Sequence, residues 1–318
     1  MTRLDRDDLD IIIQHSNISK VDVDKLLKEE IYHDKEHWKK FLRLFFMTLG
    51  VGFSATGLLF FFAYNWADLH KFIKIGMIEG LIITSTLVAI YSKTNPTTKN
   101  IILTGAALLV GALFAVFGQI YQTGANAYDF FLGWTACIVL WAAVARFAPL
   151  WVLLITLINT TLILYSQQVA SDWNAVFLFG LLFLINVFFF ITAILWKRNC
   201  EDDIPNWFSY IVALAAISFA TIGVCYGILS DDAPTLPALL VITAIGFGLG
   251  IWHGLLQKQS FYIAVIPFAI VMIISSWLLR ISDDEGMLLL ISLFIIISIS
   301  LVVHNLVLTQ KRWNNGAA

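Results

Sequence analysis

Charge is scarce in this sequence. Only 13% of its 318 residues are Asp, Glu, Lys or Arg, while 59% are hydrophobic. Soluble domains carry about 25% charged and about 45–50% apolar residues. With so little polar side chain, a globule of this length could not cover its own surface, which excludes an ordinary water-soluble enzyme or binding module. A bilayer removes the difficulty, because lipid is then the solvent. Basic excess is absent too. The formal net charge is −2, so no overall positive field invites nucleic acid. Cysteine is limited to Cys137, Cys200 and Cys225. Two of these fall inside apolar runs and no C-x-x-C spacing occurs, so neither a disulfide framework nor a thiolate metal site is expected. Catalytic signatures are missing: there is no H-E-x-x-H, G-x-S-x-G or P-loop pattern. The histidines (His15, His33, His37, His70, His253 and His304) are scattered, with no two on one apolar run at metal-ligand spacing. No enzyme, cofactor or metal is therefore expected.

What the sequence does contain is length after length of oil-like chain. A bilayer core of about 30 Å is crossed by roughly 20 apolar residues in a helix, and the chain beyond Arg43 divides into ten such runs. They lie near 44–64, 73–92, 101–120, 130–147, 149–167, 175–196, 207–229, 235–254, 260–279 and 286–308. Polar breaks separate them, among them Ser92-Lys93-Thr94-Asn95-Pro96, Lys197 to Asn206 and Ser230-Asp231-Asp232-Ala233-Pro234. The division between the fourth and fifth runs rests on Arg146 and Pro149 alone. Residues 1–43 form a charged cytoplasmic N-terminal segment with two short helices, the second from about Val21 to Lys40. Residues 44–310 form the transmembrane domain, and 311–318 a cytoplasmic tail. No short apolar run follows a basic start, so no cleavable signal peptide is expected, and the first long run acts as an uncleaved anchor.

Lys and Arg are retained on the cytoplasmic face of a membrane protein. With the N-terminus inside, seventeen of the twenty Lys and Arg residues fall on that face and only Lys71, Lys74 and Arg280 on the other. The expected architecture is an all-α polytopic transmembrane bundle of about ten spans with both termini cytoplasmic. Trp66, Tyr91, Tyr121, Trp134, Trp173, Trp196, Trp207 and Trp313 stand near run ends, where amphipathic rings anchor depth.

Two constellations stand out as candidate ligand sites. Glu79 is the one acidic residue well inside an apolar run. A carboxylate in hydrocarbon costs several kcal/mol, so such a group faces a cavity or partner, or is protonated. Gly76 and Gly80 flank it as a small-x-x-x-small pair for close helix packing. The second is the stretch Gly118-Gln119-Ile120-Tyr121-Gln122-Thr123-Gly124-Ala125-Asn126-Ala127-Tyr128-Asp129, between the third and fourth runs. Gln119, Tyr121, Gln122, Asn126 and Asp129 supply many donors and acceptors there; they suit either a polar ligand or the capping of helix ends. Gly246, Gly250 and Gly254 form overlapping G-x-x-x-G steps that read as a packing stripe. Asn159, Thr160-Thr161, Asn186 and His304-Asn305 read as interhelical hydrogen-bonding groups.

The run Gly57-Leu58-Leu59-Phe60-Phe61-Phe62-Ala63-Tyr64-Asn65-Trp66, together with Phe117-Gly118-Gln119-Ile120-Tyr121-Gln122, resembles a family of bacterial inner-membrane proteins, domain of unknown function 2157. Members are similar in placing a short charged helical segment before the first span. The resemblance covers about residues 1–170 and implies a bacterial inner-membrane location, but brings no activity. The leading expectation is a non-enzymatic membrane protein that binds or moves a small polar or amphipathic ligand between Glu79, Asn65 and the Gln119–Asp129 hairpin. Its alternative is a scaffold or sensor that docks a cytoplasmic or membrane partner through residues 1–40.

Overall fold

A computed structural model of the chain describes residues 35–64, 70–121, 124–199, 204–282 and 284–315. Every regular element among them is an α-helix. They are α1 (Lys35–Tyr64), α2 (Lys71–Tyr91), α3 (Pro96–Tyr121), α4 (Ala127–Ala145), α5 (Ala148–Gln168), α6 (Ala175–Asn199), α7 (Asn206–Leu229), α8 (Leu236–Leu256), α9 (Ser260–Ile281) and α10 (Glu285–Asn315). Nine of the ten, α2 to α10, are long and apolar enough to cross a membrane. The polytopic helical bundle expected from hydropathy is present, and α1 contains the apolar run 44–64. The segment before Lys35, including most of the two helices expected there, lies outside the described residues.

At Arg43 the structure departs from the sequence reading. The polar stretch and the first apolar run are one uninterrupted helix rather than two elements. Hydropathy changes at Arg43 but helix propensity does not: no Gly or Pro interrupts Lys35–Leu49. Rings along this stretch also support each other at helical spacing, with Trp38 edge-on to Phe41 (5.5 Å) and Phe41 stacked on Phe45 (5.9 Å).

The helices divide into two compact units, residues 1–113 and 114–317. In the first, α1 and α3 approach closely: a Cβ on Gly105 would stand 2.6 Å from Val51 Cγ1. Ile78, Ala106 and Ala107 are fully buried there. In the second unit α6 packs along α7, α4 along α5, and α9 along both α7 and α10. Its main core joins Phe183 of α6, Ala213, Ala216, Ile217 and Ala220 of α7, Phe247 of α8, and Tyr262, Ile266 and Ala269 of α9. Alanines dominate the α7 contribution. Lipid is as apolar as Leu, so helices in a bilayer gain little by hiding apolar groups and must associate through close van der Waals packing of small residues. Gly223 makes the point: a Cβ there would meet Phe179 Cβ at 2.6 Å and Leu239 Cδ2 at 2.9 Å. Conversely, Leu140, Phe188, Val241, Trp252 and Leu289 project outward, as suits lipid and not water.

Hydrogen bonds tie the connections of the second unit into one face. The Tyr128 N–H donates to Gln168 Oε1 (3.0 Å), joining the α3–α4 and α5–α6 connections. Asn174 Nδ2 donates to the Asp232 carbonyl (3.3 Å). Arg280 donates to the Leu229 carbonyl (3.2 Å) and pairs with Asp231 at 2.6 Å. At the opposite ends of these helices, the α4–α5 turn and the start of α7 line a common cavity. Gln310 Nε2, near the end of α10, donates to Ser260 Oγ at the start of α9 (2.9 Å). Successive helices of this unit therefore run antiparallel, as the alternating polar breaks require. The division at Arg146 and Pro149 is real: α4 stops at Ala145, and Arg146 caps it in the left-handed conformation (φ 46°, ψ 40°). Pro149 occupies the first turn of α5, where its missing N–H costs nothing.

Candidate functional site

The sequence-predicted ligand residues distribute over both units. Glu79 is exposed on α2 of the first unit, and a Cβ on Gly76 or Gly80 beside it would meet nothing within 4 Å. Asn65 and Gln122 lie outside the described residues. In the second unit Gln119 and Tyr121 are exposed in the last turn of α3, with the Tyr121 ring against Phe117 at 4.6 Å. Asn126 and Asp129 meet each other at the start of α4. The Asn126 N–H donates to Asp129 Oδ2 at 3.1 Å, so this carboxylate satisfies one of the backbone donors that a helix start leaves open. Gly124, just before, has φ +64°, a shape glycine adopts without strain. Two of the hairpin's polar groups thus act on the helix end itself.

Glycines on α8 sit at real close approaches. A Cβ on Gly246 would stand 2.7 Å from Phe183 Cζ, on Gly250 2.6 Å from Ile266 Cδ1, and on Gly254 3.0 Å from Tyr262 Cβ. Inside the second unit lies a polar seam. Asn159 and Asn186 exchange hydrogen bonds in both directions (3.3 and 3.0 Å), and Asn186 also donates to the Leu182 carbonyl (2.8 Å). Thr135 and Thr161 touch at 3.5 Å, and each also donates within its own helix, at 2.7 Å. The two amides satisfy each other and the two hydroxyls donate to their own helices, so the seam offers a ligand little. His304 and Asn305 on α10 are exposed.

The concave feature of the second unit is elsewhere, at the end where α4 stops and α5 and α7 start. A cavity of about 610 Å³ opens there, walled by Trp151 of α5, Phe188, Phe189 and Trp196 of α6, and Trp207 and Phe208 of α7. Ala143, Ala148 and Ala193 leave the space that larger side chains would fill. The floor is core: Ala193, Phe208, Ile155 and Val212 are buried against each other. Among the described residues Arg146 is the one charged group in the wall, its guanidinium carbon 5.3 Å from the Trp196 ring centroid. That distance is within the range of a cation–π contact. Lys197, at the end of α6, reaches Asn206 Oδ1 at the start of α7 (2.6 Å) and holds these two ends together beside the cavity.

The size and lining are those of a small-molecule site, which typically spans about 300–1,000 Å³ with mainly apolar and aromatic walls and few polar groups. Its chemistry can take up an apolar body and orient a polar end at Arg146. Sequence reading placed Trp196 and Trp207 at run ends as depth anchors and counted Arg146 only toward topology. The available signal was the coincidence of Arg146, two tryptophans and the Phe188–Phe189–Phe190 run toward helix ends on the same side.

No curated protein and no solved structure matches this chain. Residues 13–151 match the model of the family described as "Predicted membrane protein (DUF2157)", the family that Asn65-Trp66 and Gly118–Gln122 resemble.

Proposed function

We propose that this protein is a non-catalytic multi-pass protein of the bacterial inner membrane, with both termini cytoplasmic, that binds an amphipathic small molecule in the cavity bounded by α4, α5, α6 and α7. The observation that carries the reading is the aromatic cavity of about 610 Å³ with Arg146 in its wall. An apolar interior suits a hydrocarbon body, and the Arg146 guanidinium in its wall favours an orientation. The orientation in the membrane is supported by the seventeen-to-three division of Lys and Arg. It places the cavity in the cytoplasmic half, at the opposite end of α4 from the Asn126–Asp129 cap.

Native mass spectrometry of the full chain, released from neutral detergent, tests the binding. Wild type should retain a lipid-sized adduct. Ala143→Phe, at an exposed position in the cavity wall, should lose it while keeping the helical circular dichroism of wild type. An adduct retained unchanged by A143F would refute the cavity as the site.

A further inference from the structure

The same cavity carries a statement about what its occupant must be. We infer that it selects an anionic amphiphile: an acyl chain among Trp151, Phe188, Phe189 and Phe208, ending in a carboxylate or phosphate at Arg146. This rests on the reading of the cavity as a ligand site and adds the charge of the ligand to it.

Three observations point the same way. Arg146 is the one charged side chain in the wall among the described residues, and it holds a backbone conformation that L-residues rarely adopt, φ 46°. Glycine is the usual solution at such a helix end. An arginine there accepts a conformational cost and in return places a guanidinium over Trp196 at the cavity edge. Second, the amino ends of α5 and α7 both arrive at this edge. Their capping positions are Phe147 and Pro205, neither of which offers a side-chain hydrogen bond, and neither helix has an acidic residue in its first turn. The N–H groups at those ends carry partial positive charge. Third, Lys197 and Arg198 occupy the last turn of α6. Arg146, Lys197 and Arg198 also stand where cations offset the carboxyl-end dipoles of α4 and α6, but that role calls for no cavity beside it. Cations and amino ends at the mouth of an apolar chamber complement a head that is negative and a tail that is not. Guanidinium pairs with carboxylate and phosphate through paired, charge-assisted hydrogen bonds, so fatty carboxylates and anionic phospholipids share the required chemistry.

Trp151, Trp196 and Trp207 make the experiment direct, because a chain-brominated amphiphile seated beside them quenches their fluorescence. The full protein would be placed in nanodiscs of phosphatidylcholine and titrated with three brominated probes of equal chain length: a fatty carboxylate, its methyl ester and phosphatidylglycerol. Signal from the cavity is the saturable quenching that a W151F/W196F/W207F variant lacks. The carboxylate or the phosphatidylglycerol should bind about tenfold more tightly than the ester, and whichever does so identifies the source of the head. Arg146→Gly relaxes the left-handed backbone, so the fold is kept while the cation is lost; it should abolish the preference, bringing the anions down to the affinity of the ester. The triple variant E201Q/D202N/D203N removes the three acids that follow Lys197-Arg198 in the sequence and should keep or raise anion affinity. Equal saturable binding of ester and anions, or a preference that survives in R146G, overturns the anion inference and leaves the cavity as an amphiphile site. No saturable quenching by any probe overturns both.

Discussion

Replacing Asn186 with Leu should destabilise the second unit by about 2 kcal/mol, and replacing Asn159 as well should restore most of the loss. Asn186 is fully buried and Asn159 is 8% exposed. Their amides exchange two hydrogen bonds between α5 and α6. Interhelical hydrogen bonds in membrane proteins average about 0.6 kcal/mol each, so the pair contributes about 1.2 kcal/mol directly. Removing one partner costs more than that sum, because the remaining amide stays in an apolar setting without its acceptor or donor, a penalty of about 1–3 kcal/mol. Removing both partners with groups of similar volume abolishes the penalty as well as the bonds, and such exchanges are close to neutral. The two single variants should therefore each lose about 2 kcal/mol and the double variant less than about 1 kcal/mol, a coupling opposite to additivity. Reversible unfolding in mixed micelles of dodecyl sulfate and dodecyl maltoside, followed by circular dichroism, measures all four proteins. Single-variant losses that simply add to about 4 kcal/mol would show that the two amides do not act as a pair.

Two further outcomes follow from the packing and the topology. Gly223→Val should destabilise by about 1–3 kcal/mol through overpacking, since its Cβ would fall 2.6 Å from Phe179 Cβ, whereas Gly248→Ala has open space and should hold or gain about 0.5–1 kcal/mol from helix propensity; equal effects in the same unfolding assay would contradict the α6–α7–α8 packing. In a cysteine-free background, a cysteine at Asp231 should react with a membrane-impermeant maleimide in intact cells and one at Lys258 only after permeabilisation; the reverse pattern would invert the proposed orientation.

Bundle topology was legible because water and lipid leave opposite marks on a chain. Each break that ends a helix is marked by groups unwelcome in hydrocarbon: Lys197-Arg198 in the last turn of α6, Ser230-Asp231-Asp232 after α7. Even the two-residue turn between α4 and α5 was marked, by Arg146 and by Pro149 three positions on. The start of α1 was not legible at Arg43, since the boundary there is one of polarity and not of conformation. At the hairpin the spacing Asn-x-x-Asp was a capping signature that composition alone presents as a generous polar surface. One reading needs the spacing and the other only the residue types, and Asp129 binds the Asn126 N–H at 3.1 Å.

The cavity lay beyond the reach of sequence for a different reason. Its wall draws on residues from Ala143 to Phe208, and nothing local marks Trp151, Phe189 and Trp207 as neighbours. Aromatic residues near helix ends have a sufficient role as interfacial anchors, so each one taken alone gives no sign of a site. Only the antiparallel pairing of α4 with α5 and α6 with α7 brings them round one space. A side chain seen in isolation suggests depth; the same side chain among six other rings and the Arg146 guanidinium encloses a volume. The distinction is physical and can be put to the molecule. Anchors at an interface tolerate exchange of Trp for another amphipathic ring with small loss, since they share the load. A walled cavity loses its occupant when a single small residue such as Ala143 grows into it.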